Sequence, residues 1–133
     1  MLFETIIELS VRAVGGFVEI TLMSYEPKSR AEKVQKQLES YQGKRVKIRT
    51  GEVLLGGKFR FDEVLDVEAF HSTLDGENLK LITNQELKTT ITIQGKSISR
   101  FYTGKKSNAR ICINTNGVDY LIEDVMLQES LQK

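Results

Sequence analysis

The chain has 133 residues, of which 40% are hydrophobic and 28% are charged. This length and composition are typical of one folded domain with its own core, so we expect a single domain over residues 1–133. No apolar run approaches the roughly 18 residues that a membrane-spanning helix needs, and the first ten residues carry acids where a signal peptide carries bases. Cys112 is the only cysteine, which excludes an intrachain disulfide and agrees with a cytoplasmic protein.

The net charge of +1 conceals a strong pattern along the chain. Residues 28–60 hold ten bases and three acids, and residues 89–110 hold five bases and no acid. The blocks 1–27, 61–88 and 111–133 are acidic. If the two basic blocks meet in space, they form a patch that attracts phosphate. If the acidic blocks fold beside them, the charges neutralise each other, and the sequence leaves both arrangements open.

The first predicted element is a β-hairpin. Apolar and polar residues alternate over residues 2–14 and again over 17–25. Gly15-Gly16 lies between the two runs and supplies the backbone freedom that a tight turn needs. We therefore predict an N-terminal hairpin over residues 1–26 with one buried face.

One helix is predicted next, over about residues 30–41. Ser29 and Glu32 have the spacing of a capping box, in which each side chain satisfies a free backbone N–H group. Glu32 and Lys36 are placed to form an i,i+4 ion pair. The apolar residues recur at helical spacing and form one stripe: Ala31, Val34, Leu38 and Tyr41. A stripe of this kind predicts a helix with one face packed on a core.

The following segment, residues 44–122, is predicted to form short antiparallel strands. A strand over residues 53–61 contains Gly56-Gly57 and is expected to bulge or bend. Four turns are predicted: Thr50-Gly51, Asp75-Gly76, Gln94-Gly95 and Asn116-Gly117. Residues 125–131 form a short helix or a frayed end. This pattern predicts a mainly β fold (β-rich α+β), a small antiparallel barrel or sandwich of SH3-like type with an N-terminal hairpin and one helix.

Residues 30–67 resemble the first motif of the Sm-like RNA-binding barrels, in which a short helix leads into glycine-containing strands. The matching residues are Gly43-Lys44-Arg45-Val46-Lys47-Ile48, then Gly51, Gly56, Phe61-Asp62 and Leu65. Asp66 stands where the family has an asparagine that contacts a base. The resemblance implies a small, strongly bent antiparallel barrel, often assembled in rings, with RNA bases held near these last positions.

No pattern of a known catalytic or metal site is present in the sequence. Cys112 would have to meet His71 to act as a nucleophile, and its apolar neighbours favour a small buried hydrophobe instead. Asp62 and Asp66 can be interpreted as a carboxylate pair for a cation or for acid–base catalysis, or as the polar face of a half-buried strand. We therefore expect no enzyme activity, no catalytic residue, no metal and no cofactor.

The best functional candidate is the run SRFYTGKKSNAR, residues 99–110. Its cations can hold phosphate, its aromatic rings can stack on bases, and Gly104 allows close approach of the backbone. The alternative is a solvated hairpin loop, in which the same residue types are common. The exposed face of the strand after residue 44 adds further cations. The predicted ligand-binding residues are Arg45, Lys47, Arg49, Arg100, Phe101, Tyr102, Lys105, Lys106 and Arg110.

These features favour a non-enzymatic binding module for nucleic acid or a phosphorylated nucleotide, with no membrane partner. Two alternatives remain open. The chain can be a homo-oligomeric structural or assembly protein, such as a subunit of a ring or a phage-like particle, which pairs through the edge of its N-terminal hairpin. It can also be a small inhibitor of a cellular protein partner, bound through its segregated charges.

Overall fold

The computed structural model describes residues 9–14, 17–22, 26–53, 59–84, 86–104 and 109–127. Helix α1 spans Pro27–Gln37, and a 3-10 helix follows at Glu39–Tyr41. The strands are β1 Leu9–Val14, β2 Phe17–Leu22, β3 Val46–Val53, β4 Phe59–Val67, β5 His71–Asp75, β6 Asn78–Asn84, β7 Thr89–Gln94, β8 Ile98–Gly104, β9 Arg110–Thr115 and β10 Val118–Asp124. The prediction of a mainly β fold is confirmed.

The strands form two antiparallel sheets. The large sheet has the order β1-β2-β8-β9-β10-β3-β4, and the small sheet has the order β5-β6-β7. Within the described residues neither sheet closes on itself, so β1 and β4 are the edges of the large sheet. Strands that are distant in sequence lie side by side in the large sheet. Strand β8 pairs with β2 on one side and with β9 on the other.

Helix α1 begins and ends earlier than the predicted helix over residues 30–41, since residues 39–41 form a separate 3-10 helix, and the predicted capping box is wrong. Glu26 is the N-cap residue and Pro27 follows at the start of the helix. Proline suits this position because its φ is already helical and its missing N–H group would have no partner there. Ser29 therefore lies inside the first turn, where its Oγ accepts a hydrogen bond from Lys33 Nζ at 3.1 Å. Glu32 pairs with Lys28 at 3.9 Å.

The predicted apolar stripe is confirmed as the centre of the core, although Leu38 and Tyr41 lie just beyond the end of α1. Ala31, Val34, Leu38 and Tyr41 have no exposed surface. They belong to one cluster with buried residues of both sheets, namely Val46, Ile48, Val67, Phe70, Leu79, Leu81, Ile93, Ile98, Phe101, Ile111, Ile113 and Ile122. The helix thus packs on one face of each sheet, and the other face of the large sheet points away from it.

Two of the predicted hairpin turns are confirmed. Asn116 and Gly117 have φ values of 50° and 75° and connect β9 to β10, as a two-residue turn between antiparallel strands requires. Gly76, with φ 61°, lies between β5 and β6. The strands of the N-terminal hairpin pair as expected from Leu9 to Leu22, whereas Gly15-Gly16 lies outside the described residues. At the other end, residues 125–127 form a helical turn, and 128–131 lie outside the described residues.

The predicted turn at Thr50-Gly51 is wrong, because β3 continues through it to Val53. The register passes from the Thr50 and Glu63 pair to the Gly51 and Phe61 pair, so β4 bulges by one residue there. Strands β3 and β4 pair antiparallel from Val46 to Val53 and from Phe59 to Val67. The predicted strand over 53–61, with its bulge or bend, falls largely on residues 54–58, which the structure does not describe. Gly56-Gly57 lies outside the described residues.

The predicted hairpin at Gln94-Gly95 is also wrong. Strand β7 belongs to the small sheet and β8 to the large one, and a 3-10 helix at Gly95–Ser97 connects them. A Cβ atom on Gly95 would lie 2.2 Å from the carbonyl oxygen of Pro27 and 2.3 Å from that of Glu77. The glycine therefore serves a close approach of three backbone segments, and its backbone N–H donates to Glu77 O at 3.1 Å.

This contact gives a test of the fold. Gly95→Ala should lower the free energy of unfolding by about 3 kcal/mol, because the added methyl group overlaps two backbone oxygens that cannot move independently. Urea denaturation measures the change. Lys96→Ala, an exposed change in the same 3-10 helix, is the matched control and should stay within about 0.5 kcal/mol of the original chain. If Gly95→Ala and Lys96→Ala have the same free energy of unfolding, the close backbone approach described at Gly95 is wrong.

Candidate functional site

Several predicted ligand-binding residues lie on one face of the large sheet. Residues that are directly opposite in neighbouring strands share a face. One row of the sheet runs Arg110, Glu123, Lys47 and Asp66 across β9, β10, β3 and β4. The next row on that face runs Tyr102, Cys112, Leu121 and Arg49 across β8, β9, β10 and β3. We call this surface, which points away from α1, the polar face.

Acidic strand β10 lies between the basic strands of the polar face. Arg49 Nε is 2.6 Å from Glu123 Oε1, and Lys47 lies between Glu123 on one side and Asp66 on the other. Opposite charges placed across neighbouring strands stabilise a sheet. Both arrangements left open by the sequence therefore occur together: the two basic blocks share a face, and an acidic strand separates and partly neutralises them.

Four other predicted residues lie elsewhere in the fold or outside the described residues. Phe101 is 2% exposed and packs in the core on the opposite face from its neighbours Arg100 and Tyr102. Arg45 precedes β3 and is exposed. Lys105 and Lys106 lie outside the described residues. Only part of the predicted set is thus brought together on the polar face.

A hydrogen-bonded cluster lies on the polar face where β8, β9 and β10 meet. The register of β8 skips Ser99, since Ile98 pairs with Thr115 and Arg100 pairs with Asn114. This bulge lets Ser99 Oγ donate to Asn114 Oδ1 at 2.5 Å. Asn114 Nδ2 in turn donates to Asp119 Oδ1 at 2.8 Å. Bulges commonly re-aim side chains beside functional sites, and this one connects exposed Ser99 to two buried polar groups.

Arg100 is the residue of this region that has a buried hydrogen-bond donor without a partner among the described residues. Its side chain is half-buried, and its Cζ lies 6.0 Å from the centroid of the Tyr102 ring, at the outer limit of a cation–π contact. Its Nε is buried and has no hydrogen-bond partner within the described part of the chain. A buried donor without a partner costs about 1–3 kcal/mol, which an oxygen acceptor at this position would recover. We call Ser99, Arg100, Tyr102, Asn114 and Asp119 the Arg100 site.

Cys112 lies beside this site, and its environment disfavours the reactive thiolate. It is fully buried. Burial, together with the charge and hydrogen bond of Asp119, raises the pKa of the thiol, so the nucleophilic thiolate is disfavoured. His71 lies in β5 of the small sheet. The burial of Cys112 thus agrees with the prediction, made from its apolar neighbours in sequence, that it is a small buried hydrophobic residue.

Sequence reasoning found Arg100 and Tyr102 but missed Asn114 and Asp119. A usable signal was present, because a two-residue turn at Asn116-Gly117 fixes the register of its hairpin and places positions 114 and 119 opposite each other. The contribution of Ser99 depends on a bulge between β8 and β9, for which the sequence has no local signal.

Comparison with protein-family models, with curated proteins and with solved structures found no match. None of the helices in the described residues is long and apolar enough to cross a bilayer. The described residues also contain no group of three or more His, Cys, Asp or Glu side chains arranged to hold a metal ion. The geometry of the polar face therefore carries the functional argument.

The buried thiol predicts how stability changes with pH. An unfolded cysteine loses its proton above about pH 8.5, whereas Cys112 keeps its proton in the folded chain because its pKa is raised. The folded state then binds more protons, so its stability falls as pH rises. Cys112→Ala should make this fall shallower by about 1.4 kcal/mol per pH unit between about pH 9 and 10.

Urea denaturation of both chains at several pH values measures these slopes. Tyr41, whose pKa burial and Asp124 also raise, is present in both chains and cancels in the comparison. Parallel slopes would show that the thiol is not buried in the way described.

Proposed function

We propose that the chain is a non-enzymatic binding module for nucleic acid or a phosphorylated nucleotide, and that Arg100 holds a phosphate of the ligand. The observation that supports this proposal is the buried Arg100 Nε, which has no hydrogen-bond partner among the described residues and adjoins the Tyr102 ring. A guanidinium group fits phosphate oxygens with two donors at once. The Tyr102 ring beside it is 5% exposed, so it can hold the guanidinium in place but offers little surface for stacking on a base.

The charges of the polar face favour a ligand with a small footprint. Arg110 lies on the same face as Arg100, and residues 99–110 contain no acid. On the far side of β10, Arg49 is paired with Glu123, which also lies opposite Arg110. A polyanion that followed the whole face would pass over Glu123. We therefore propose a mononucleotide or a few nucleotides of a single strand, held at β8 and β9.

The proposal also includes the fold type, which we propose is an SH3-like or Sm-like barrel. Residues 30–67 have the order that the resemblance implies, with helix α1 followed by the paired strands β3 and β4 and their bulge. The cations of β3 lie among acids of the same sheet. For this reason we place the ligand at the Arg100 site rather than beside Asp62 and Asp66.

Binding of a fluorescein-labelled oligothymidylate of six nucleotides, followed by fluorescence anisotropy, tests the proposal. The affinity should fall with salt with a slope of about −2 in a double-logarithmic plot, as expected for three phosphate contacts on a single strand. Arg100→Ala should lower the affinity about tenfold or more, because charge-assisted hydrogen bonds are lost. Tyr102→Leu should lower it less, because the buried ring contacts the Arg100 guanidinium rather than the ligand.

Lys88→Ala is the matched control, since Lys88 is an exposed cation in the turn between β6 and β7. It should leave the affinity within about twofold, because a distant exposed charge is largely screened by salt. The same titration with a labelled nucleoside triphosphate separates a nucleotide site from a strand site. If neither ligand binds, or if Lys88→Ala and Arg100→Ala weaken binding equally, the proposal fails.

A second candidate function, homo-oligomeric assembly, is favoured by the surface of edge strand β4. Val64 and Leu65 are 52% and 43% exposed, although they are large apolar residues. The bulge in β4 and the acids Glu63 and Asp66 oppose direct strand pairing at this edge. Adjacent residues of a strand point to opposite faces, and Val64 lies on the polar face opposite Arg49. Assembly would therefore use packing of Val64 against a neighbouring copy rather than continuation of the sheet.

Gel filtration with light scattering, with the 260/280 nm absorbance ratio recorded, tests this second candidate. An assembly protein should elute as a nucleotide-free oligomer, and Val64→Glu should convert it to a monomer because a charge replaces the apolar contact. Leu87→Glu is the control, since Leu87 is 77% exposed in the turn after β6, and it should leave the oligomer intact. A monomeric original chain would exclude the candidate.

A further inference from the structure

A pocket of about 430 Å³ lies at the end of the large sheet where β10 finishes and β3 begins. It is lined by Gly43, Lys44, Arg45, Asp124, Met126 and Leu127. Its volume lies within the range of small-molecule sites. None of these residues belongs to the Arg100 site, so the pocket is a separate feature of the chain.

Backbone hydrogen bonds hold the two walls of the pocket in place. Val125 N donates to Arg45 O at 3.2 Å, which joins the end of β10 to the start of β3. Lys44 N donates to Tyr41 O at 3.1 Å, and Phe70 N donates to Lys44 O at 2.9 Å. Segment 43–45 is thus tied on three sides, and a ligand would meet a preformed frame.

The one carboxylate of the pocket already has partners on both oxygens. Asp124 Oδ1 accepts a hydrogen bond from Leu127 N at 3.1 Å, and Asp124 Oδ2 lies 3.3 Å from Lys44 Nζ. The Asp124 side chain is 6% exposed, whereas that of Lys44 is 53% exposed. Both carboxylate oxygens of Asp124 therefore already have a partner, and Asp124 fixes the position of the Lys44 ammonium group. That ammonium group has further N–H donors that can bind a ligand.

Arg45 supplies the second cation of the pocket. It is exposed and forms no ion pair or side-chain hydrogen bond with the described residues. The pocket then carries two cations and one internally paired acid, which is a net charge of +1. Donors without an available acceptor select an anion and reject a cation or a neutral alcohol.

The outer wall of the pocket is apolar. Met126 is 74% exposed and Leu127 is 36% exposed, both in the helical turn over 125–127. Unbranched methionine adapts to aliphatic ligands of varied shape. We propose that this pocket binds a small aliphatic carboxylic acid, with its carboxylate between Lys44 and Arg45 and its chain along Met126 and Leu127.

Isothermal titration calorimetry with sodium octanoate below its micelle concentration tests the proposal. Octanoate should bind, and octylammonium and 1-octanol should bind about tenfold more weakly or not at all, because neither carries an anion for the two cations. Arg45→Ala should lower the octanoate affinity about tenfold. Met126→Ser should lower it about threefold through the loss of apolar contact. Both positions are exposed, so thermal melts should show folded variants.

Lys36→Ala, which removes an exposed cation of α1, is the control for a general charge effect and should leave octanoate binding unchanged. Arg100→Ala should also leave it unchanged, so failure of the nucleotide proposal and failure of this one are distinguishable. The proposal is overturned if octanoate does not bind, if octylammonium binds equally well, or if Arg45→Ala binds octanoate as tightly as the original chain.

Discussion

Burial of one stripe of helix α1 against both sheets is the interaction on which the rest of the structure depends. Ala31, Val34 and Leu38 have no exposed surface, and full burial of an aliphatic side chain contributes about 1.5–3 kcal/mol. Polar contacts fix the same packing, since Arg30 Nη1 donates to Ile98 O at 2.6 Å in the large sheet and Gln35 Nε2 donates to Ser72 O at 3.0 Å in the small one. Because the helix covers one face of the large sheet, the opposite face is left to carry the charged side chains.

The distribution of charge on that face shows why a count of basic residues is a poor guide to anion binding. Lys47 and Arg49 are part of a strongly basic segment, yet they lie beside acids of the two neighbouring strands. Arg100, in a segment with fewer bases, adjoins the uncharged Tyr102 and has a donor without a partner in the described part of the chain. Which cations lie beside an acid is therefore decided by strand order, through the placement of Glu123 between the two basic strands.

A local sequence pattern predicts the structure correctly where neighbouring residues alone determine it. Asn116-Gly117 forms its turn because both residues tolerate a positive φ and no distant contact is needed. Gly95 misled the prediction, because its lack of a side chain serves a close approach to Pro27 and Glu77, which are far away in sequence. The candidate site divides in the same way. Arg100 and Tyr102 follow from composition, and the pairing of Asn114 with Asp119 follows from the turn at Asn116-Gly117, whereas the bulge at Ser99 and the pairing of β8 with β9 have no local signal.

The pairing of β2 with β8 has a consequence for how the protein is made. Thr21 lies opposite Arg100 in the sheet, so a ribosome must add most of the chain after β2 before β8 can join it. Until then the N-terminal hairpin has one partner fewer than in the finished sheet, and a hairpin of two strands is marginal in water. Such distant pairings slow folding, since the loop must close before the contacts form. Any β1–β2 hairpin formed before β8 is made lacks the partner that covers its edge in the finished sheet, and unpaired edges of this kind favour aggregation.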